Sequence, residues 1–405
     1  MRIAILGSVV TQIPPSGQAA IETLVYEQVL GLAKKGHKIL LFAPKGSKVE
    51  HPNVEIVEVG KGGSLSGSGK ESFKDTKTQS FKENQEQRTK NLESFKESGS
   101  FKGSTLRAGH SELNLSEEKY GSSYKLRLEI TNLGVLIKEL LDRKDQYDVV
   151  LNNLRGEAVV VPVLNYLQKP MAHVMHLPLF DELSNLFKIY NTPLISISNA
   201  QRKAYQDLNY VATVYNGVDP DVFTFNETPE DYYLYLGSIG KNKNPKDALI
   251  ACKETGVKLV VGGRVKDKEY YEKEISPLVD GTRISWVGEL DPQKVRELYQ
   301  RARAFLFPTL WAEPFGLVLI ESMSCGTPVI AYPNGAVPEV IKNGYNGYLV
   351  NNVGEMKTKI LEIEKMGLEV QKLRQNARKS VEEKFTVGKM VEGYEEVLAN
   401  LKIKN

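Results

Sequence analysis

Short runs of aliphatic and β-branched residues, each bounded by turn-forming residues, recur through the first half of the chain at residues 3–6, 38–42, 54–59, 149–151, 171–175 and 194–198. Brief, continuously apolar runs suit the strands of a sheet buried on both faces. Between several of them the apolar spacing changes to the helical period, as over residues 21–35, where Lys34 and Lys35 occupy the last turn and Gly36 follows as a stop signal. This alternation predicts a parallel sheet covered by helices. It restarts over residues 232–236, 258–262, 284–287, 304–307 and 329–331, which predicts a second sheet of the same kind.

A chain of 405 residues exceeds the roughly 250 to 300 at which a single hydrophobic core stops growing, so two domains are expected. The boundaries that follow are residues 1–213 for the first, 214–386 for the second, and 387–405 for a C-terminal helix packing back on the first domain. Residues 61–123 interrupt the pattern, being rich in Ser, Lys, Glu, Gln, Asn and Gly. They carry Ser-Phe-Lys four times, starting at Ser72, Ser80, Ser94 and Ser100, and the irregular spacing rules out a solenoid period. The segment reads as a disordered or loosely helical insertion. Its Phe and Lys residues also suit a peripheral membrane or partner contact, although nearby acids almost cancel the lysines.

Composition narrows the class. With 41% hydrophobic and 25% charged residues the chain is an ordinary globular protein, and a net charge of +3 from 53 basic and 50 acidic residues gives no footprint for nucleic acid. Cys252 and Cys325 are far apart and lack His or Cys neighbours at metal-ligand spacing, so neither a disulfide framework nor a zinc site is indicated, and a reducing cytoplasm fits. The apolar run after Met1-Arg2 breaks at Gly7-Ser8, which reads as a first buried strand and not a signal peptide. No run of about 18 apolar residues exists to span a bilayer.

The richest chemistry lies in Trp311-Ala312-Glu313-Pro314-Phe315-Gly316-Leu317-Val318-Leu319-Ile320-Glu321, followed by Ser322-Met323-Ser324-Cys325-Gly326-Thr327-Pro328. Pro314 suggests a first helical turn and Gly326 with Pro328 its end, predicting a helix of about three turns. The amides of Phe315, Gly316 and Leu317 would then face outward at the positive end of the helix dipole, a ready receptor for a diphosphate. Glu313 and Glu321 stand just over two turns apart, so one carboxylate can reach a sugar at the helix mouth while the other lies further along the groove.

These residues resemble the E-x7-E signature of the retaining glycosyltransferases of family 4, which have the two-domain GT-B fold. The resemblance covers about 340 of the 405 residues and omits only the insertion. Ser196 to Gln201 is similar to the strand-end segment closing the first domain, Asn216-Gly217-Val218-Asp219 to the turn that crosses between domains, and Gly335-Ala336-Val337-Pro338-Glu339 to the loop after the donor helix. It implies an α/β protein with two Rossmann-like domains whose parallel sheets face a cleft. It implies a UDP-, GDP- or ADP-sugar as donor substrate, no cofactor, and an acceptor that the motifs do not name. It also implies roles: Glu313 orienting the sugar, Glu321 the ribose, and Lys243 gripping the diphosphate. Where the family carries an arginine beside that lysine, this chain has Ser238, which leaves Lys243, with Lys241 or Arg264, and the helix amides to stabilise the leaving group.

Other expectations attach to weaker signals. In Pro14-Pro15-Ser16-Gly17-Gln18-Ala19-Ala20-Ile21-Glu22, Gly17 and Ala19 stand where relatives place small residues opposite the donor phosphates. No G-x-G-x-x-G follows the first strand, which disfavours a dinucleotide dehydrogenase. His173 and His176 lie at the end of a predicted strand, where α/β folds place ligands, and His176 matches the family histidine of the sugar pocket. Gly263, Arg264 and Val287, at strand ends of the second sheet, are further donor contacts by resemblance. Asp219-Pro220-Asp221 reads as turn chemistry and not as a metal site. The predicted protein is a cytoplasmic, metal-independent, retaining glycosyltransferase, with the insertion as a candidate contact to the inner membrane face. The rivals are an epimerase or phosphorylase on the same scaffold, and a non-catalytic sugar-nucleotide or glycan-binding scaffold.

Overall fold

Each stretch of alternating runs folds into its own parallel sheet in the computed structural model, which describes residues 1–17, 19–60 and 123–401. The first sheet has seven strands: β1 (Arg2–Leu6), β2 (Lys38–Ala43), β3 (Val54–Glu58), β4 (Val149–Asn152), β5 (Met171–Met175), β6 (Leu194–Ser196) and β7 (Tyr210–Thr213), in the order β3-β2-β1-β4-β5-β6-β7. The second has six: β8 (Tyr233–Leu236), β9 (Leu259–Gly262), β10 (Ile284–Gly288), β11 (Ala304–Phe307), β12 (Val329–Ala331) and β13 (Gly347–Leu349), in the order β10-β9-β8-β11-β12-β13. Strand order therefore reverses between β1 and β4 and again between β8 and β11. In open α/β sheets the carboxyl ends at such a reversal open into a crevice that receives ligands.

The period of two along β1 explains why helices cover both faces. Ile3 and Ile5 point into a cluster with Leu24, Val25, Val29 and Leu32 of helix α1 (Ala20–Lys34). Ala4 and Leu6 point the other way, onto Leu133, Leu136 and Leu140 of helix α2 (Tyr124–Asp142). Every one of these β1 side chains is fully buried, and full burial of one aliphatic side chain is worth about 1.5–3 kcal/mol. Strand β8 repeats the arrangement: Leu234 and Leu236 join the first cluster, while Tyr233 and Tyr235 pack on Ala248, Leu249 and Cys252 of helix α3 (Pro245–Thr255).

The chain crosses between the sheets twice, side by side. The Val218 amide donates to the Phe385 carbonyl at 2.9 Å and the Val387 amide to the Val218 carbonyl at 3.0 Å. Gly217 permits this closeness, since a Cβ there would lie 2.3 Å from the Thr386 carbonyl oxygen. The last helix, Val387–Asn400, then lies on α1 of the first domain: Glu395 meets Lys35 at 2.8 Å and His37 at 2.7 Å, and a Cβ on Gly31 would lie 2.4 Å from Val391 Cγ2.

Some elements differ from the sequence reading. The run at 194–198 ends as a strand at Ser196, because Ser198 serves instead as the N-cap of the short helix Asn199–Arg202, its Oγ accepting from the Gln201 amide. Strands β7 and β13 were not anticipated. Both are sheet edges, one of four residues and one of three, too short for alternation to show. The four Ser-Phe-Lys repeats and the membrane contact proposed for them fall in residues 61–122, outside the described residues. Among the described residues no helix is long and apolar enough to cross a membrane.

Candidate active site

The segment after Glu313 takes a different path from the one its proline suggests. The helix runs only over Leu317–Ser324, about two turns, with Gly316 before it at φ +89°. Pro314 and Phe315 therefore precede the helix, and its first turn does not contain them. The reason is tertiary. The Pro314 carbonyl accepts from Ser198 Oγ at 2.6 Å, and the Phe315 ring is buried against Tyr215 and Phe385, centroids 6.1 and 5.9 Å away. Both contacts draw the chain away from the helix axis, and a left-handed residue must turn it back, which favours glycine.

Glu313 stands at the mouth of this helix. Its Oε2 lies 2.5 Å from Lys243 Nζ and accepts from Trp311 Nε1 at 2.8 Å. The ammonium also sits 5.0 Å above the Trp311 ring and 5.7 Å from that of Phe307, so two aromatic faces help hold the charge. Lys243 lies on a turn pinned from both sides: its amide donates to the Gly240 carbonyl, and the Leu310 amide donates to the Asn242 carbonyl at 2.8 Å. Behind Glu313, the Ala336 amide donates to its carbonyl at 2.8 Å. Gly335, at φ +65°, comes so near that a Cβ would lie 2.3 Å from the Glu313 nitrogen.

Ser238, Gly263 and Arg264 are brought together beside this turn. The Ile239 amide donates to the Arg264 carbonyl at 2.9 Å, the Gly263 amide to the Gly288 carbonyl at 2.7 Å, and a Cβ on Gly263 would fall 1.9 Å from the Gly237 carbonyl oxygen. The loops after β8 and β9 thus meet backbone to backbone. Val287, on edge strand β10, is exposed. Glu321 lies one turn further along the helix, partly buried near Tyr299, and burial pushes its carboxyl up to about 7.

On the first sheet, Gly17 is open, with none of the described residues near the position of a Cβ, and Ala19 is the residue before α1. His176 follows β5, its Nε2 2.8 Å from Asn153 Oδ1. His173 is buried against Phe187. Burial holds both imidazoles well below their ordinary value, His173 at about 4 and His176 at about 3. The two halves of the site meet at the helix Asn199–Arg202. The Glu339 carboxylate accepts from the amides of Asn199 at 2.9 Å and Ala200 at 2.5 Å, and from the Tyr215 hydroxyl at 2.8 Å. Gln201 Nε2 in turn donates to the carbonyl of Met175 at 2.6 Å. Asp219 and Asp221 form a turn away from this region, the Asp221 amide donating to Asp219 Oδ1 at 2.9 Å.

Sequence reasoning missed the contact of Asn153 with His176 and the capping role of Glu339. The polar pair Asn152-Asn153 directly after an apolar strand was the available signal, since strand C-termini carry the ligands of such sheets.

The family model for glycosyl transferases group 1 matches residues 221–380. An uncharacterized glycosyltransferase of Methanocaldococcus jannaschii is 30% identical over 197 residues, covering 48% of this chain and 54% of the relative. A probable sucrose-phosphate synthase of Thermosipho melanesiensis is 30% identical over 183 residues, covering 42% and 43%. The chain thus spans about half the length of the curated relatives it matches. Among solved structures, Anabaena HepE in complex with UDP superposes with a TM-score of 0.65 at 14% identity over 99% of this chain and 100% of that one. Sucrose-phosphate synthase from Thermosynechococcus elongatus gives 0.64 at 16% identity over 98% of both chains. The chain therefore has the GT-B fold, and its residues 221–380 are similar to the glycosyl transferases group 1 family.

Proposed function

We propose that the protein is a glycosyltransferase that moves a sugar from a nucleoside-diphosphate sugar to an acceptor hydroxyl, with retention at the anomeric carbon and without a metal ion. The observation that carries this reading is the Lys243–Glu313 pair at the mouth of the helix Leu317–Ser324, inside the residues matched by the family model. HepE, which shares the fold, has been crystallised with UDP.

Glycosyl transfer develops positive charge on the ring and negative charge on the departing diphosphate. Lys243 and the amides opening the helix address the diphosphate; Glu313, released from Lys243 when phosphate arrives, takes sugar hydroxyls. Glu321 is assigned to the ribose, and Ser238, Gly263, Arg264 and Val287 to the remainder of the nucleotide. The acceptor hydroxyl attacks the anomeric carbon from the face the diphosphate leaves. The C–O bond to phosphate breaks with its electron pair, a departing phosphate oxygen takes the acceptor proton, and no side-chain base is needed. His176, neutral at physiological pH, acts as a hydrogen-bonding partner of the sugar and not as a cation.

The test is incubation of the protein with UDP-, GDP- and ADP-glucose in the presence of a chelator, following nucleoside diphosphate release and product stereochemistry by NMR. Release of a diphosphate with an axial product from an axial donor is expected. Binding of a nucleoside diphosphate with no turnover of any donor and acceptor pair would favour a sugar-nucleotide-binding scaffold, a reading for which Ser238 in the diphosphate loop is the motive.

A further inference from the structure

Two donors converge on one oxygen of Glu313. Its Oε2 lies 2.5 Å from Lys243 Nζ and accepts the indole N–H of Trp311 at 2.8 Å. Oε1 takes no hydrogen bond among the described residues and is not sealed from solvent. The ammonium also lies 5.0 Å from the centre of the Trp311 ring, so one side chain touches both members of the ion pair.

Trp311 is framed on both sides. Before it, the Leu310 amide at 2.8 Å and Thr309 Oγ1 at 3.3 Å both donate to the Asn242 carbonyl, in the turn that carries Lys243. Asn334 Nδ2 donates to the Thr309 carbonyl at 2.7 Å, and after Trp311 the Ala336 amide donates to the Glu313 carbonyl at 2.8 Å. The lysine turn, the indole and the glutamate therefore sit in one hydrogen-bonded frame. An indole has a single donor and no acceptor, so it cannot compete with Glu313 for a sugar hydroxyl's proton; its N–H serves by occupying Oε2.

The two donors differ in how they answer an arriving nucleotide. A diphosphate draws the ammonium, a compact charge on a flexible stem, whereas the indole is rigid and does not follow. Glu313 then keeps one hydrogen bond, at Oε2; without it, a partly buried carboxylate would lose both partners at once. From this geometry we infer that Trp311 is a positioning residue: its indole N–H holds the Glu313 carboxylate once Lys243 has turned to the diphosphate, leaving Oε1 for a hydroxyl of the donor sugar. The inference rests on the proposed donor site and adds to it a residue that acts through Glu313, with no contact of its own to the ligand.

The test is isothermal titration of the full chain, without acceptor, using the best bound of UDP, GDP and ADP and then the glucose conjugate of that same nucleotide. The ratio of the two affinities isolates what the sugar adds. Trp311→Phe keeps an aromatic face for Lys243 and removes the N–H. It should lower the ratio by about tenfold, the scale of a hydrogen bond to a charged group, with the nucleotide alone bound within about threefold of the parent. Glu313→Ala should lower the ratio at least as far, and adding Trp311→Phe to it should change nothing further, because residues that act through one another are not additive. An unchanged ratio in Trp311→Phe overturns the inference. So does an equal loss of nucleotide and conjugate, which assigns the indole a structural role, and so does a further tenfold or so lost in the double variant, which puts the indole on the sugar itself. Trp311→Leu is read by the same criteria should Trp311→Phe fail to fold. A protein that binds none of the three nucleotides overturns the proposed donor site and the inference with it, whereas nucleotide binding with an unchanged ratio counts against Trp311 alone.

Discussion

Lys243 and Glu313, seventy residues apart, share an ion pair of 2.5 Å that Trp311 braces from the side through its indole N–H. Each partner is partly buried, with side-chain exposures of 22% and 13%, so the pair is held by its surroundings and not merely by charge. It places a cation and an anion at one helix mouth, where an incoming diphosphate and sugar would each claim one.

If that reading holds, Lys243→Met lowers donor turnover by about 10²–10³, the usual consequence of deleting one donor to a developing oxyanion. Lys243→Arg should not restore full activity, since a planar fork does not reproduce a compact ammonium between two rings. Glu313→Gln should reduce turnover while leaving nucleoside-diphosphate affinity within about threefold. Isothermal titration beside a diphosphate-release assay separates binding from chemistry.

Ser238 offers the reverse experiment. Ser238→Arg adds a guanidinium beside the loop joined to Gly263 and Arg264, and should tighten nucleoside-diphosphate binding by about tenfold, the scale of a charge-assisted hydrogen bond. Unchanged affinity would show that the diphosphate does not pass this loop.

Glu321 supplies a pH signature. Its carboxyl, ordinarily near 4.5, is held near 7 by burial, so the native state binds the proton more tightly than the unfolded chain. The sign follows: the stabilisation is complete below 4.5 and is lost as pH rises through about 7, a loss of roughly 3 kcal/mol at most. Glu321→Gln should raise the thermal midpoint at pH 8 relative to the unmodified protein and bring the two together near pH 4.5. Nucleotide affinity should fall in the same variant. His173 and His176 contribute with the opposite sign: their share is present above 6.5 and is lost as pH falls toward about 4 and 3.

Glu339 and Ser198 link the two sheets. Glu339→Ala removes a carboxylate accepting three hydrogen bonds from Asn199, Ala200 and Tyr215, and should cost about 2 kcal/mol in urea unfolding. Ser198→Ala, which loses its bond to the Pro314 carbonyl, should cost about 1 kcal/mol and also lower turnover, since that carbonyl adjoins Glu313. A Ser198→Ala enzyme as active as the parent would show that Glu313 is positioned without this bond.

Much of the architecture was readable because it depends on periodicity. Runs such as 171–175 and 304–307 coincide with β5 and β11, and the change to helical spacing after residue 20 places α1 within one residue of its start. Pro314 misled for a physical reason: local propensity marks a first turn, but the contacts of its carbonyl with Ser198 and of the Phe315 ring with Tyr215 outweigh it. Those contacts join residues a hundred or more positions apart and leave no trace in any window of the chain.

The order of residue types along the chain set the alternation of strands and helices, the two parallel sheets and the short list of charged residues near the second sheet's strand ends, because each of these follows from local spacing and turn chemistry. Folding in three dimensions decided that Glu313 meets Lys243, that Glu339 caps a helix of the other domain, and that Glu22 pairs with Arg155. Such pairings depend on which loops the reversed strand order brings to one edge, and on burial that strengthens some charges and suppresses others; neither quantity exists until the chain has packed.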